Sequence, residues 1–156
     1  MEKPEAFAAH NHTQCVTSAM EQARAVCAAN GARLTPVRQR SLEILLEAHA
    51  ALGAYDVLER LAVEGFGTQP PVAYRALGFL VEHGLAHKIE RLNAYVACLH
   101  PEEQHTPAFL ICRGCKTVAE TDGPKPLAAP ARAAGFLIEQ TVIEAEGLCP
   151  ECQANA

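Results

Sequence analysis

Cys112-Arg113-Gly114-Cys115 and Cys149-Pro150-Glu151-Cys152 constrain this chain more than any other feature. In each, two residues separate the cysteines, the spacing that lets both thiolates face one tetrahedral ion. The stretch between the pairs, residues 116–148, is longer than the gap in a compact zinc ribbon, so the intervening elements must fold back to bring four sulfurs together. A closed shell of four thiolates leaves no open coordination position, which makes such a centre structural and not catalytic. The competing readings are two unrelated pairs or a redox dithiol. A thioredoxin-like motif belongs in a βαβ context, which the flanking sequence lacks. Seven cysteines are present in all, an odd number that favours metal binding over a disulfide framework in a reducing compartment.

The unit that carries these pairs, residues 94–156, is small. About sixty residues bury too little apolar surface to be comfortably stable alone, so a metal staple or a dimer partner is expected. The whole chain of 156 residues, 49% hydrophobic and 20% charged, allows one or two soluble domains and excludes disordered and collagen-like classes. No apolar run approaches the roughly 20 residues of a membrane span, and Met1–His10 lacks a basic stretch followed by an apolar one. A cytoplasmic protein with no membrane partner is therefore expected. The net charge of −5 is uneven: residues 33–91 are balanced, whereas residues 92–156 carry twice as many acidic as basic side chains. Any DNA-binding reading must rest on individual arginines, and the acidic C-terminal third suits cations better than phosphates.

Residues 1–15 read as a flexible arm. His10, His12 and Cys15 within it make only a weak metal motif, against which stands a solvated tail. A helix is predicted over Val16–Ala29, stopped by Asn30-Gly31, with Cys27 as a small core residue. Thr35-Pro36 predicts the next helix start, a capping hydroxyl followed by a proline that loses no hydrogen bond. Leu42, Leu45 and Leu46 then share a face. Ala54–Ala62 is predicted as a short helix with Val57, Leu58 and Leu61 inward. Val72–His83 is predicted as a third, with Ala73, Ala76, Leu77 and Leu80 as its buried stripe. After Gly84 the period changes, and Ala86–Cys98 reads as a hairpin turning at Arg91-Leu92-Asn93. Three helices followed by a hairpin describe a winged helix, assigned to residues 16–93. Beyond it, strands are predicted at Ala108–Ile111, Val118–Glu120 and Phe136–Glu144, with a helix at Leu127–Ala134.

Arg33–Arg40 (RLTPVRQR), Pro70–Leu77 (PPVAYRAL), His87-Lys88-Ile89-Glu90, the strand Tyr95–Cys98, His105 and the two cysteine pairs together resemble the ferric uptake regulator superfamily of bacterial metal-responsive repressors. The zinc uptake regulator branch is the best match. The motifs keep one order from about Ala25 to Cys152. The resemblance implies an α+β chain: an N-terminal winged helix-turn-helix domain and a small α/β dimerisation domain. It further implies a homodimer on double-stranded operator DNA, with Zn²⁺ as both structural metal and co-repressor. One departure stands out: where the family usually has Pro-Thr-Val-Tyr-Arg, this chain has Pro71-Val72-Ala73-Tyr74-Arg75, without the cap hydroxyl.

Family correspondence assigns Cys112, Cys115, Cys149 and Cys152 to the structural zinc, and His87, Cys98, His105 and Glu120 to a regulatory zinc. Spacing alone does not select the second set. Without the resemblance His87 reads equally as an exposed hinge histidine and Glu120 as a solvated strand end, and His100 is an alternative to His105. One thiolate in the set favours zinc over iron or manganese. For DNA, Tyr74 and Arg75 face away from the apolar stripe of their helix, where they can meet base edges or phosphates. Arg33, Arg38 and Arg40 are candidates for the backbone, with Lys88 and Arg91 on the wing as further ones; the bland alternative is a solvated basic face. The expected function is a zinc-responsive repressor of zinc uptake and homeostasis genes, not an enzyme. The rivals are an iron or peroxide sensor of the same superfamily, a thiol-disulfide enzyme using a Cys-x-x-Cys pair, and a zinc-buffering protein without DNA binding.

Overall fold

The computed structural model describes Phe7 and residues 12–48, 50–101 and 105–156. Helix α1 spans His12–Ala29, beginning one turn before the expected Val16. No glycine or proline interrupts residues 12–16, and Thr17 Oγ1 donates to Thr13 O at 3.0 Å across the added turn. Cys15 thus belongs to a helix and not to an arm, while His10 lies outside the described residues. Ala19, Met20, Ala23 and Cys27 form the buried face of α1.

Helices α2 (Pro36–Glu47), α3 (Ala54–Val63) and α4 (Pro70–Glu82) follow. α2 starts where expected, but the Thr35 hydroxyl makes no cap bond; proline at the first turn supplies the start by having no N–H to satisfy. The same device, Pro70 and Pro71, opens α4 after Gln69, so the absent cap hydroxyl noted above leaves the helix intact. Asp56 Oδ2 accepts the Gly53 N–H at 2.9 Å and closes the start of α3. Leu42, Leu45, Val57, Leu61, Leu77 and Leu80, each at most 2% exposed, meet at the centre of this helical core. Gly84, with φ of +71°, ends α4 in a left-handed conformation that favours glycine.

Strands β1 (Ala86–Ile89) and β2 (Ala94–Ala97) pair antiparallel, His87 opposite Val96 and Ile89 opposite Ala94. A 3₁₀ turn at Glu90–Leu92 and Asn93 at φ +47° close the hairpin. Tyr95 and Leu52 exchange both backbone hydrogen bonds, at 2.7 and 2.9 Å, which lashes the hairpin to the helices. This is the winged helix-turn-helix expected from the sequence.

The second sheet has the order β4-β3-β5: β3 (Pro107–Cys112) lies between antiparallel β4 (Val118–Asp122) and parallel β5 (Glu144–Gly147). Helix α5 (Ala128–Ala134) lies on the crossover, and α6 (Pro150–Ala154) ends the chain. The long strand expected at Phe136–Glu144 is not there. Only its last residue enters a strand, and residues 136–143 lie outside any strand or helix, with Phe136, Leu137 and Val142 more than half exposed. The alternation read from the sequence is real, but of residues 136–143 only Ile143 reaches the sheet, its carbonyl accepting the Phe109 N–H at 3.0 Å. A second core joins the two halves: Ile89 of the hairpin packs with Phe109, Ile111 and Val118 of the sheet.

Candidate metal centres and nucleic-acid face

The parallel pairing of β3 with β5 sets Cys112 opposite Gly147, and this solves the long separation of the cysteine pairs. Cys115 lies three residues past Cys112, while Cys149 caps α6 and Cys152 lies in its first turn. The four sulfurs all lie within 4.8 Å of one another. Backbone N–H groups converge on them, from Cys149 to Cys112 Sγ at 3.3 Å and from Cys152 to Cys149 Sγ at 3.5 Å. Gly114 is required by this closeness: a β-carbon there would sit 2.9 Å from Cys152 Sγ.

Electrostatics make the cluster a cation site. The Cys149 N–H, with further backbone donors, lowers the Cys112 thiol to about 6. The Thr117 hydroxyl, 3.1 Å away, helps hold Cys115 below its ordinary value. The Cys149 and Cys112 sulfurs, by contrast, push Cys152 up to about 12. Four thiols this close cannot all ionise without a cation among them, and they offer a complete soft shell to one.

The second cluster sits where the hairpin meets the sheet. His87 comes from β1, Cys98 follows β2, His105 precedes β3, and Glu120 lies on β4 opposite Phe109. One ligand atom from each lies within 4.8 Å of the others. His105 Nε2 meets Glu120 Oε1 at 2.6 Å, and the Leu99 N–H donates to Glu120 Oε2 at 3.3 Å. Cys98 Sγ is 3.8 Å from His105 Nε2 and 3.7 Å from Glu120 Oε1. Burial opposes ionisation of the Glu120 side chain, only 5% exposed, but the His87 imidazole beside it, with help from His105 and the Leu99 N–H, outweighs it and holds the carboxyl below the usual range. His87 Nε2 lies 3.2 Å from Glu120 Oε1, yet it is buried and makes no hydrogen bond with any described residue. A buried ring nitrogen left in this state is costly unless something else takes its lone pair. One thiol, one carboxylate and two imidazoles around it fit a divalent, borderline-soft ion. His100 is exposed and stands outside the group.

On the outer face of α4, Tyr74 and Arg75 are exposed while Ala73 and Ala76 are buried behind them. Tyr55, at the start of α3, meets Tyr74 edge-on with ring centroids 6.3 Å apart. The sequence reading missed it; the available signal was an aromatic on the polar side of the Val57, Leu58, Leu61 stripe. The basic residues divide. Arg33 is exposed. Arg38 stacks over Phe79 at 3.8 Å and donates to Arg33 O at 2.7 Å. Arg40 is bound by Glu43, Glu47 and Glu64. On the wing, Lys88 stands 3.9 Å from Glu90, and Arg91 turns toward Glu146 of β5 at 3.3 Å. Arg40 and Arg91 thus spend their charge inside the molecule.

No protein-family model matches the chain. It is 39% identical over 137 residues to the zinc uptake regulation protein of Escherichia coli strain K12, covering 85% of this chain and 80% of that one. A zinc uptake regulator solved with zinc and DNA superposes with a TM-score of 0.85 at 36% identity, over 90% of this chain and 96% of the other. Holo XcZur gives 0.79 at 37% identity, over 88% and 98%, whereas apo XcZur gives only 0.52 at 38% identity, over 90% and 99%. The chain thus superposes better on the holo than on the apo form of that relative. The chain belongs to the zinc uptake regulator branch of the ferric uptake regulator superfamily.

Proposed function

We propose that this chain is a homodimeric, zinc-dependent repressor in which the junction cluster senses zinc and the four-cysteine cluster holds a structural one. The observation that carries this reading is the ligand set at the junction: His87, with its buried and unbonded Nε2, comes from the winged-helix unit, while His105 and Glu120 come from the sheet unit. The likeness to a zinc- and DNA-bound regulator supports it. The proposed division into residues 16–93 for DNA binding and 94–156 for dimerisation is placed better after the hairpin, because β2 (Ala94–Ala97) pairs with β1 and belongs to the wing; the protein would act in the cytoplasm. No described helix is long and apolar enough to cross a membrane.

His87, Cys98, His105 and Glu120 would hold zinc at the junction, where it would supply a divalent charge that balances Cys98 and Glu120. The chain's own residues do the rest. His87 and Cys98 sit at the open end of the hairpin, so engaging them fixes the winged helix against the sheet. Tyr74 and Arg75, with Tyr55 packed against Tyr74, then present one exposed face, Arg75 for guanine edges or phosphate and the tyrosines for thymine methyls or phosphate; Arg33, exposed before α2, is free to meet the DNA backbone. In a dimer, two such faces must stand about one DNA turn apart, so a fixed orientation converts metal occupancy into operator affinity. The exposed Phe136, Leu137 and Val142, on a segment outside any strand or helix, support dimerisation through the sheet unit.

The Cys98 thiol in the junction set argues against an iron or peroxide sensor. Close approach of all four sulfurs argues against an isolated redox dithiol. Metal analysis of protein purified without added metal, followed by operator binding across free zinc, tests the reading. One tightly held zinc per chain is expected, with a second required for operator affinity. Zinc-independent binding to operator, or tight zinc binding with no operator binding, refutes it.

A further inference from the structure

We infer that Glu144 is a positioning residue whose carboxylate clasps the tip of the winged hairpin to the sheet, so that the hairpin pivots on this clasp when its base is released from the junction centre. This rests on the reading that His87, Cys98, His105 and Glu120 hold the sensing zinc. Glu144 Oε1 accepts the Glu90 N–H at 2.7 Å and Oε2 accepts the Arg91 N–H at 3.1 Å. Those amides open the 3₁₀ turn at the hairpin tip, and a carboxylate bonded to two successive N–H groups fixes both distance and direction. Glu146, two residues along the same strand and so on the same face, meets Arg91 Nε at 3.3 Å and Nη2 at 3.4 Å.

The hairpin is thereby held at two ends by the two neighbours of β3. At its base, His87 reaches Glu120 of β4; at its tip, Glu90 and Arg91 reach Glu144 of β5. Ile89, fully buried against Phe109, Ile111 and Val118, is the contact between the two ends. Loss of junction zinc would leave the first attachment with only the direct His87–Glu120 contact and would leave the second intact, because nothing in the clasp belongs to the junction set. β5 is itself fixed by its pairing with β3, Gly147 opposite Cys112, two residues before Cys149. The four-cysteine centre therefore anchors the strand that holds the wing. A clasp that keeps His87 and Cys98 near the junction raises the fraction of protein ready to take zinc, and apparent affinity scales with that fraction.

The experiment compares wild type with Glu144→Ala, Glu144→Gln and Arg91→Ala in the full-length dimer, by amide hydrogen exchange and by zinc titration of the junction centre. In wild type stripped of junction zinc by a mild chelator, with the four-cysteine zinc retained, the Glu90 and Arg91 amides should stay protected. In both Glu144 variants they should exchange about tenfold faster. The free zinc that half-fills the junction should rise about three- to thirtyfold in these variants, while four-cysteine zinc content and unfolding midpoint hold. Arg91→Ala keeps both amide bonds, so it should move either readout by no more than about twofold. Unchanged exchange and unchanged zinc midpoint in the Glu144 variants overturn the proposal; so does loss of wild-type protection when junction zinc leaves. Should Glu144→Ala not fold, Glu144→Gln, which keeps the shape and one acceptor, decides the matter alone. A wild-type junction that binds no zinc would instead refute the sensing assignment, and the amide exchange would still read the clasp.

Discussion

Arg40 Nε stands 2.8 Å from Glu64 Oε2 and 2.9 Å from Oε1, a forked contact that ties α2 to the end of α3. Its Nη1 also reaches Glu43 at 3.2 Å and Glu47 at 3.0 Å. A guanidinium shared among three carboxylates has little charge left to displace counterions from a phosphate backbone. Arg40→Ala should therefore cost about 1 kcal/mol of stability through the lost network, with the salt dependence of operator binding unchanged. A salt slope lowered by about one unit would return Arg40 to the DNA contacts.

Arg75 makes no ion pair with any described residue, and it projects from α4 beside Tyr74, which is 47% exposed. Arg75→Ala should cost about 1 to 3 kcal/mol of operator affinity, selectively over random DNA, if the side chain reads a base. Equal loss on both DNAs would make it a phosphate anchor, and no loss on either removes it from the interface. Competition binding at fixed zinc and fixed salt separates these outcomes.

Legibility in the sequence followed the range over which each interaction acts. The α4 stripe and the start of α2 at Pro36 are local patterns and appear in the structure as expected, although the Thr35 hydroxyl makes no cap bond and α4 starts at Pro70, two residues before the expected Val72. The cysteine pairs were legible because each carries its own spacing, although only the β3–β5 register shows how they meet. The junction centre was not legible from spacing, since its four ligands come from four separate places along residues 87–120 and only the family resemblance grouped them. Arg40 and Arg91 looked like free cations because Glu64 and Glu146 lie 24 and 55 residues away from them. The segment around Phe136–Val142 alternates like a strand, but alternation cannot reveal whether an edge is present to pair with it.

Cys152 packs its sulfur against Gly114 in the turn between Cys112 and Cys115, so it closes the four-cysteine cluster from α6. Cys152→Ser should lower thermal stability and disturb the dimer, because the binding free energy of a structural zinc, commonly about 10 kcal/mol or more, is also folding free energy. Calorimetry with metal analysis checks this. A variant with full zinc content, native melting and an intact dimer would falsify the structural assignment.

Cys98 separates the two centres most sharply. It is 3% exposed and its sulfur faces His105 and Glu120, whereas the four-cysteine cluster draws on residues from 112 onward with no shared ligand. Cys98→Ser replaces a soft anionic donor with a weak neutral one of similar shape, so junction affinity for zinc should fall by orders of magnitude. The fold, the dimer and the four-cysteine zinc should remain, because the two clusters share no ligand and effects at independent sites stay separate. Titrating zinc against operator binding measures this directly: the midpoint must move to higher free zinc while the melting profile of the metal-depleted protein stays in place. An unmoved midpoint takes Cys98 out of the sensor. Collapse of the whole fold would mean that the junction is structural too, and that sensing must be sought elsewhere in the chain.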